Sequence, residues 1–490
     1  MTSDQSAHIG SATDYSHLNG RLWGDVVLAQ WTGSDEPAVV DDDGILAGAE
    51  MIGIAAGAAR MFDEAGFGRG DAIPLLMDES RISIALVLGG ALTGRPVAPL
   101  GTKLSVEDLS VAVRGLSART MYVSPDKVEL ASRVADLIGI TIVVVDACPP
   151  VAEYDWIEFS TDDTVVIVHT SGTTGHPKPV HMRQSNLMHR VLAYASVMGA
   201  RRGDRFCSAS PFYHTAGVAM DVTVLALGMS IIPQDWFSIE NWERAGRLGA
   251  TYMLLVPTHI DMLLGAGALD RANPRILQYG AMPIHPDTLT KAIERLPSTR
   301  FLQIFGQTEI SPISSMSHDD HLRAVSGRHD LLLSVGRPVF GIEWRVEEPD
   351  QDGIGEFTVR ALHAFVADDD GWRRTGDLGK MSDEGYLFLH GRKNDRIIRG
   401  GENIYPLEIE NVLLDHPDVR EAAVVGIPDR RYGEVVKAVV VLTETATIDE
   451  EGLKSFVSDR LAHFKIPALV EFRAELPRNA SGKVIRRDLR

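Results

Sequence analysis

Residues Val165 to Val180 read VVIVHTSGTTGHPKPV, and the reading of this stretch decides what the rest of the chain is. Val165-Val166-Ile167-Val168 is an unbroken β-branched run, the pattern of a strand covered on both faces. Thr170 to Lys178 then places four hydroxyls, two glycines and a lysine within nine residues. Glycines let the main chain approach an anion, hydroxyls and free amides donate to its oxygens, and the lysine supplies the countercharge. The loop therefore predicts a polyphosphate site. It is not the common P-loop, because Pro177 stands where that motif requires a glycine ahead of Lys-Ser/Thr.

Outward from this loop, composition narrows the classes. A chain of 490 residues exceeds one ordinary core, and 44% hydrophobic with 23% charged residues is the balance of a soluble globular protein. The net charge of −19 and the lack of a dense Lys/Arg run argue against nucleic acid or an anionic membrane as partner. Two cysteines, Cys148 and Cys207, make neither a disulfide framework nor a metal-spaced cluster. The polar start, Met1 to Gly20, lacks a basic and apolar leader, and no apolar stretch reaches membrane-spanning length; the expected compartment is the cytoplasm.

Helical and strand periods alternate along the chain. A helix is expected over Gly44 to Phe67, then strand Ala72 to Met77, helix Ile82 to Leu92, strand Pro96 to Leu100, helix Val106 to Gly115 and strand Thr120 to Val123. Beyond the phosphate loop come helix Asn186 to Met198, strand Asp204 to Ser210, the segment Pro211-Phe-Tyr-His214, and a nearly wholly apolar helix over Thr215 to Leu227. A second α/β run follows to Leu296, alternating short strands fill Val335 to Leu389, and a last helix–strand alternation begins near Gly391. The fold class expected is α/β: a large N-terminal domain of two layered α/β subdomains plus a small β-subdomain, then a small mobile α+β C-terminal domain.

Thr170-Ser171-Gly172-Thr173-Thr174-Gly175-His176-Pro177-Lys178 resembles the signature of the acyl-adenylate-forming enzymes, which include acyl-CoA synthetases, adenylation domains of peptide synthetases and luciferases. The resemblance extends over roughly Gly20 to Arg490 and implies domains 1–391, binding AMP, and 392–490, carrying a catalytic lysine. Adenine is expected between Gly280-Ala281-Met282 and Phe305-Gly306, with Gly280 and Met282 also touching the acyl group. Thr308 is expected at phosphate, and Glu309 as the Mg²⁺ ligand, a carboxylate suiting that hard cation. Asp377 is expected to hold both ribose hydroxyls, since two carboxylate oxygens can each accept one bond, with Arg392 as the second ribose contact. The hinge falls on Asn394, where relatives commonly have Asp or Lys. Gly400-Gly401 is expected beside the thiol arm, and Lys483 as the catalytic lysine. His214 takes the place of the ring that gates the acyl pocket against the thiol tunnel.

This resemblance implies an enzyme that consumes ATP with Mg²⁺. A carboxylate is activated as its acyl-adenylate with loss of pyrophosphate, and the acyl group then passes to a thiol, coenzyme A or the phosphopantetheine of a carrier protein. Coenzyme A is favoured. The alternatives are a free-standing enzyme loading a β-amino acid onto a carrier protein and, more remotely, a nucleotide-binding protein without catalysis. The β-amino acid enters through Asp221, the lone charge in the apolar helix. It stands seven residues after His214 and would share its face if the helix reached back that far. A buried carboxylate requires a partner, and a substrate ammonium would serve.

Overall fold

The β-branched run becomes the interior of strand Thr164–Ser171 in the computed structural model, which describes residues 20–171, 177–478 and 484–490. Val165 to Val168 are all buried, as a strand covered on both faces requires. Strand Pro177–Arg183 returns antiparallel beside it, with Thr170 opposite Lys178. Gly172 to His176 and the segment Asn479 to Lys483 lie outside the described residues.

The chain forms two compact units. The first extends to Leu254 and adds Arg271–Leu277. Its six-stranded sheet runs Thr141–Val144, Thr120–Val123, Ile73–Leu76, Val97–Pro99, Thr164–Ser171, Pro177–Arg183, with every neighbouring pair parallel except the last. Helices Gly48–Glu64 and Arg81–Ala91 pack together on this side of the chain. The second is capped by Ser80, whose hydroxyl accepts the amide of Ser83. The unit's other sheet pairs Gly44–Ala47, Pro37–Asp41, Ser230–Ile231, Arg205–Ser208 and the start of Tyr252–Leu255.

Two expected helices start later than their periodicity suggests. Gly44–Ala47 is a strand, hairpinned onto Pro37–Asp41 through Asp42 and Asp43. The helix opens only at Gly48, where the Glu50 carboxylate accepts the amide of Ala47. Edge pairing has overridden a weak local preference. The apolar helix over Thr215 to Leu227 is Val218–Ala226, because Pro211 to Gly217 is a chain of turns: Pro211 O takes the His214 amide and Phe212 O that of Val218.

The second unit holds Leu255–Asp270 and Gln278–Arg490. Strands Arg300–Gln307 and Ile310–Met316 make a hairpin whose two-residue turn is Thr308 and Glu309. The short strands of Val335 to Leu389 form a four-stranded antiparallel sheet, Glu343–Glu347, Gly355–Arg360, Arg373–Met381, Leu387–Arg392. From Ile397 onward the chain builds a five-stranded sheet around the hairpin Val419–Asp429 and Gly433–Leu442. Helices Pro406–Leu414 and Glu450–Ser458 bury Ile409, Leu413, Leu453 and Val457 against Val424, Val436 and Val440, a core of its own.

Candidate active site

Adenine is expected where two strand ends meet, and the second unit brings those ends into contact. Gly280 closes strand Ile276–Gly280 so near strand Arg300–Gln307 that a Cβ on it would stand 2.2 Å from Ile304 O. Only glycine fits there. Ala281 follows in the left-handed region at φ 68°, a conformation alanine adopts at a cost, and is exposed, while Met282 is half-buried. Phe305, Gly306, Thr308 and Glu309 are all half-buried at the end of the hairpin.

Asp377 is the best-defined group of the set. Its strand places it directly opposite Arg392, whose Nε lies 2.8 Å from Oδ1. Gln307 donates Nε2 to Oδ2 at 2.8 Å and to Thr375 O at 2.6 Å. The Asp377 amide is bound by Thr375 Oγ1. Asp377 is 6% exposed, and its carboxylate is oriented from both sides. Motif reading passed over Gln307, although it stands inside the same Phe-Gly-Gln-Thr-Glu run.

Glu309 reaches Arg373, with Oε1 3.3 Å from the guanidinium, and its carbonyl takes the Phe365 amide at 2.8 Å. Among the described residues no group of three or more His, Cys, Asp or Glu could hold a metal. The donor set fits Mg²⁺ only in the form that ion commonly takes with nucleotides, one carboxylate plus phosphate oxygens.

Residues 29–364 match the sequence profile described as AMP-binding enzyme, and residues 408–483 that of the AMP-binding enzyme C-terminal domain. The chain belongs to the AMP-binding enzymes. It is 31% identical over 477 residues to the 2-succinylbenzoate–CoA ligase of Bacillus licheniformis, covering 93% of this chain and 96% of the relative. Among solved structures it resembles the o-succinylbenzoate CoA synthetase of Bacillus subtilis in complex with its acyl-adenylate intermediate, with a TM-score of 0.82 and 28% identity over 96% and 97% of the two chains. It also resembles the amide bond synthetase McbA of Marinactinospora thermotolerans, with a TM-score of 0.84 and 26% identity over 96% and 99%.

In the first unit of this AMP-binding enzyme, Thr170 is half-buried at the end of its strand and Lys178 exposed at the start of the next. The backbone of Ser171 faces that of Pro177. Gly172, Thr173, Thr174 and Gly175 lie outside the described residues, as does Lys483. Ahead of the loop His169 is half-buried, neither ring nitrogen has a hydrogen-bond partner among the described residues, and desolvation brings its pKa down to about 4. It is neutral there at physiological pH.

His214 lies in the turns before the apolar helix, half-buried, its ring 4.7 Å from that of Tyr213. The helix does not reach back to it, so the shared face proposed for His214 and Asp221 does not exist. Asp221 sits inside the helix at 2% exposure, and among the described residues neither carboxylate oxygen has a hydrogen-bond partner. It looks onto a cavity of about 10 Å³ lined by Ile84, Val87 and Leu88 of the helix Arg81–Ala91 and by Phe212, Val218 and Leu225. That volume admits one water at most. Burial drives the Asp221 carboxyl well above its usual range, and burial with the nearby Asp221 does the same to Glu79. The same burial favours the uncharged form of the carboxyl.

Gly400 and Gly401, at the tip of hairpin Ile397–Arg399 and Glu402–Ile404, have φ of 60° and 95°. The turn itself demands glycine at both positions, independently of any thiol.

Proposed function

We propose that this AMP-binding enzyme activates a carboxylic acid with ATP and delivers the acyl group to coenzyme A. The observation that carries the reading is the Asp377 carboxylate, buried and aligned by Arg392 and Gln307 beside the Phe305–Glu309 turn. That arrangement is suited to a ribose diol. The similarity to acid–CoA ligases supports the acceptor.

In the first step a carboxylate oxygen bonds to the α-phosphorus as the bond to pyrophosphate breaks. The attacking group is already ionised and needs no base. Charge gathering on the phosphates is met by Thr170 to Lys178, Thr308 and Lys483, donors aimed at developing charge. Mg²⁺ held by Glu309 would add positive charge at the same phosphates. In the second step the thiolate attacks the acyl carbon and AMP leaves, with Gly400 and Gly401 beside the thiol arm and His214 screening the acyl group.

Acid-dependent exchange of pyrophosphate into ATP tests the first step, over a panel of 2-succinylbenzoate, indoleacetate, a long-chain fatty acid and a β-amino acid. Adding coenzyme A, a simple amine or a phosphopantetheinylated carrier protein tests the second. The amine arm answers the likeness to an amide bond synthetase. Exchange with no acid of the panel, or product only with the amine or carrier, overturns the reading.

A further inference from the structure

Strand Leu387–Arg392 runs through the 3-10 turn Lys393–Asp395 into strand Ile397–Arg399, and this passage is the covalent joint between the four-stranded sheet and the C-terminal sheet. The residues flanking its middle are tied to different bodies. Arg392 is held by Asp377, and Lys393 Nζ lies 2.7 Å from Glu356 Oε2, both carboxylates of the four-stranded sheet. On the far side Asp395 Oδ2 is 3.5 Å from Arg486 Nε, and Arg486 is anchored in the C-terminal sheet by Glu410 and by the carbonyl of Val424. Asn394 is exposed between these clamps, and among the described residues its side chain makes no hydrogen bond or ion pair. Rotation of the C-terminal sheet is thereby confined to its φ and ψ, and asparagine tolerates unusual dihedrals.

A separate contact decides where that rotation rests. Tyr405, at the foot of helix Pro406–Leu414, donates its hydroxyl to Asp350 Oδ2 at 2.7 Å. The other oxygen of Asp350 accepts the amides of Asp352 at 2.9 Å and Ile354 at 3.0 Å, so the carboxylate is fixed in advance. Burial alone would raise the Asp350 carboxyl, but the bonds from Tyr405 and the two amides hold it below its usual range, and the acceptor is charged. The Tyr405 ring packs on Ile354 and Leu378. Around the contact lies a cavity of about 80 Å³ lined by Glu356, Lys393, Arg396 and Asn403 among others. Polar space of this kind admits water, so the faces can part without opening an apolar core.

We propose that the Tyr405–Asp350 bond is a latch that holds the C-terminal sheet in one of the two arrangements that the ligase reading, with its expected hinge at Asn394, already requires. The proposal rests on the ligase reading, in which one C-terminal domain serves both half-reactions. The hairpin tip indicates which arrangement is latched. Among the described residues a Cβ at Gly401 would meet nothing within 4 Å, and one at Gly400 only Tyr432 of the same unit. The tip expected beside the thiol arm is thus open among the described residues, and the proposal assigns the latched arrangement to adenylation. Tyr405 and Asp350 are positioning residues: they act through the placement of the domain.

Tyr405→Phe removes the hydroxyl and keeps the buried ring. With whichever acid of the panel supports exchange, pyrophosphate exchange falls roughly tenfold, the size of one lost hydrogen bond to a charged group. Transfer from supplied acyl-adenylate to coenzyme A holds or rises, and the melting temperature stays that of the unaltered chain. Asp350→Asn keeps the acceptor for the two amides and replaces the charged acceptor of the Tyr405 hydroxyl with a neutral amide, so the weakened latch shifts the ratio of half-reactions the same way, by less, even if the tyrosine variant melts early. The double variant adds nothing further. Equal loss in both half-reactions, or no change in either, overturns the latch. Absence of exchange in the unaltered chain overturns the ligase reading and the latch with it, and is told apart because no ratio is then measurable.

Discussion

Gln307→Met tests whether Asp377 reads the ribose. The substitution keeps the length of the side chain and deletes its amide, hence the donations to Asp377 Oδ2 at 2.8 Å and to Thr375 O at 2.6 Å. Thr375 O retains the Arg392 guanidinium at 3.2 Å, and Asp377 retains Arg392 Nε, so no buried charge is left unpaired and folding is little affected. What is lost is the orientation of one oxygen. A hydrogen bond to a charged group is worth roughly 1.5–3 kcal/mol, and a half-buried donor belongs at the lower end, about 1.5 kcal/mol or roughly tenfold. Exchange kinetics with ATP and 2′-deoxy-ATP separate this from a general loss. For ATP, kcat/KM falls about tenfold. For the deoxynucleotide, which already lacks one of the two bonds, the fall is smaller, so the preference for the ribonucleotide narrows. Equal losses for both nucleotides would refute the ribose assignment and leave Gln307 a support of the hairpin.

Lys483→Ala cuts adenylate formation by roughly 100- to 1,000-fold, as for the loss of one oriented donor at a reacting oxyanion, while thiolation of supplied acyl-adenylate survives; equal loss in both steps would contradict the assignment. Desolvation brings His169, His259 and His321 each down to about 4, so the unfolded chain binds more protons than the folded one between pH 6.5 and 4. Stability is therefore full above pH 6.5 and falls as the pH drops toward 4, by up to about 3 kcal/mol per histidine, and urea unfolding across that range measures it. Asp221→Asn replaces a carboxyl whose uncharged form burial favours with a neutral amide and leaves the melting temperature at pH 7 unchanged or higher. Because the raised carboxyl contributes stability that is lost as pH rises above the unfolded value, the variant also weakens less toward alkaline pH. A strong loss of kcat/KM confined to a β-amino acid would instead restore the substrate contact.

The amino-acid sequence by itself determined the layered α/β pattern, because strand and helix periods are local properties and the runs around Val165, Leu75 and Leu88 leave little choice of where to be buried. The Thr308–Glu309 turn is legible as a polar break after a strand, and the pair Asp377 and Arg392 through the resemblance to the acyl-adenylate-forming enzymes, whereas the middle of the phosphate loop lies outside the described residues. Tertiary structure decided whatever depended on a partner far along the chain. Gly44–Ala47 became a strand because Pro37–Asp41 offered hydrogen bonds that outweighed its helical period. Asp221 is legible as a lone charge in an apolar helix, but its neighbours, Glu79 and the apolar wall of another helix, follow only from the fold. Gly400 and Gly401 are expected beside a thiol arm from the resemblance, and that their turn itself takes positive φ is something only backbone geometry reveals. Gln307 on Asp377, Arg373 on Glu309 and Tyr405 on Asp350 carry no local signature, since a donor and an acceptor in distant segments are paired only by the fold that brings their strands together.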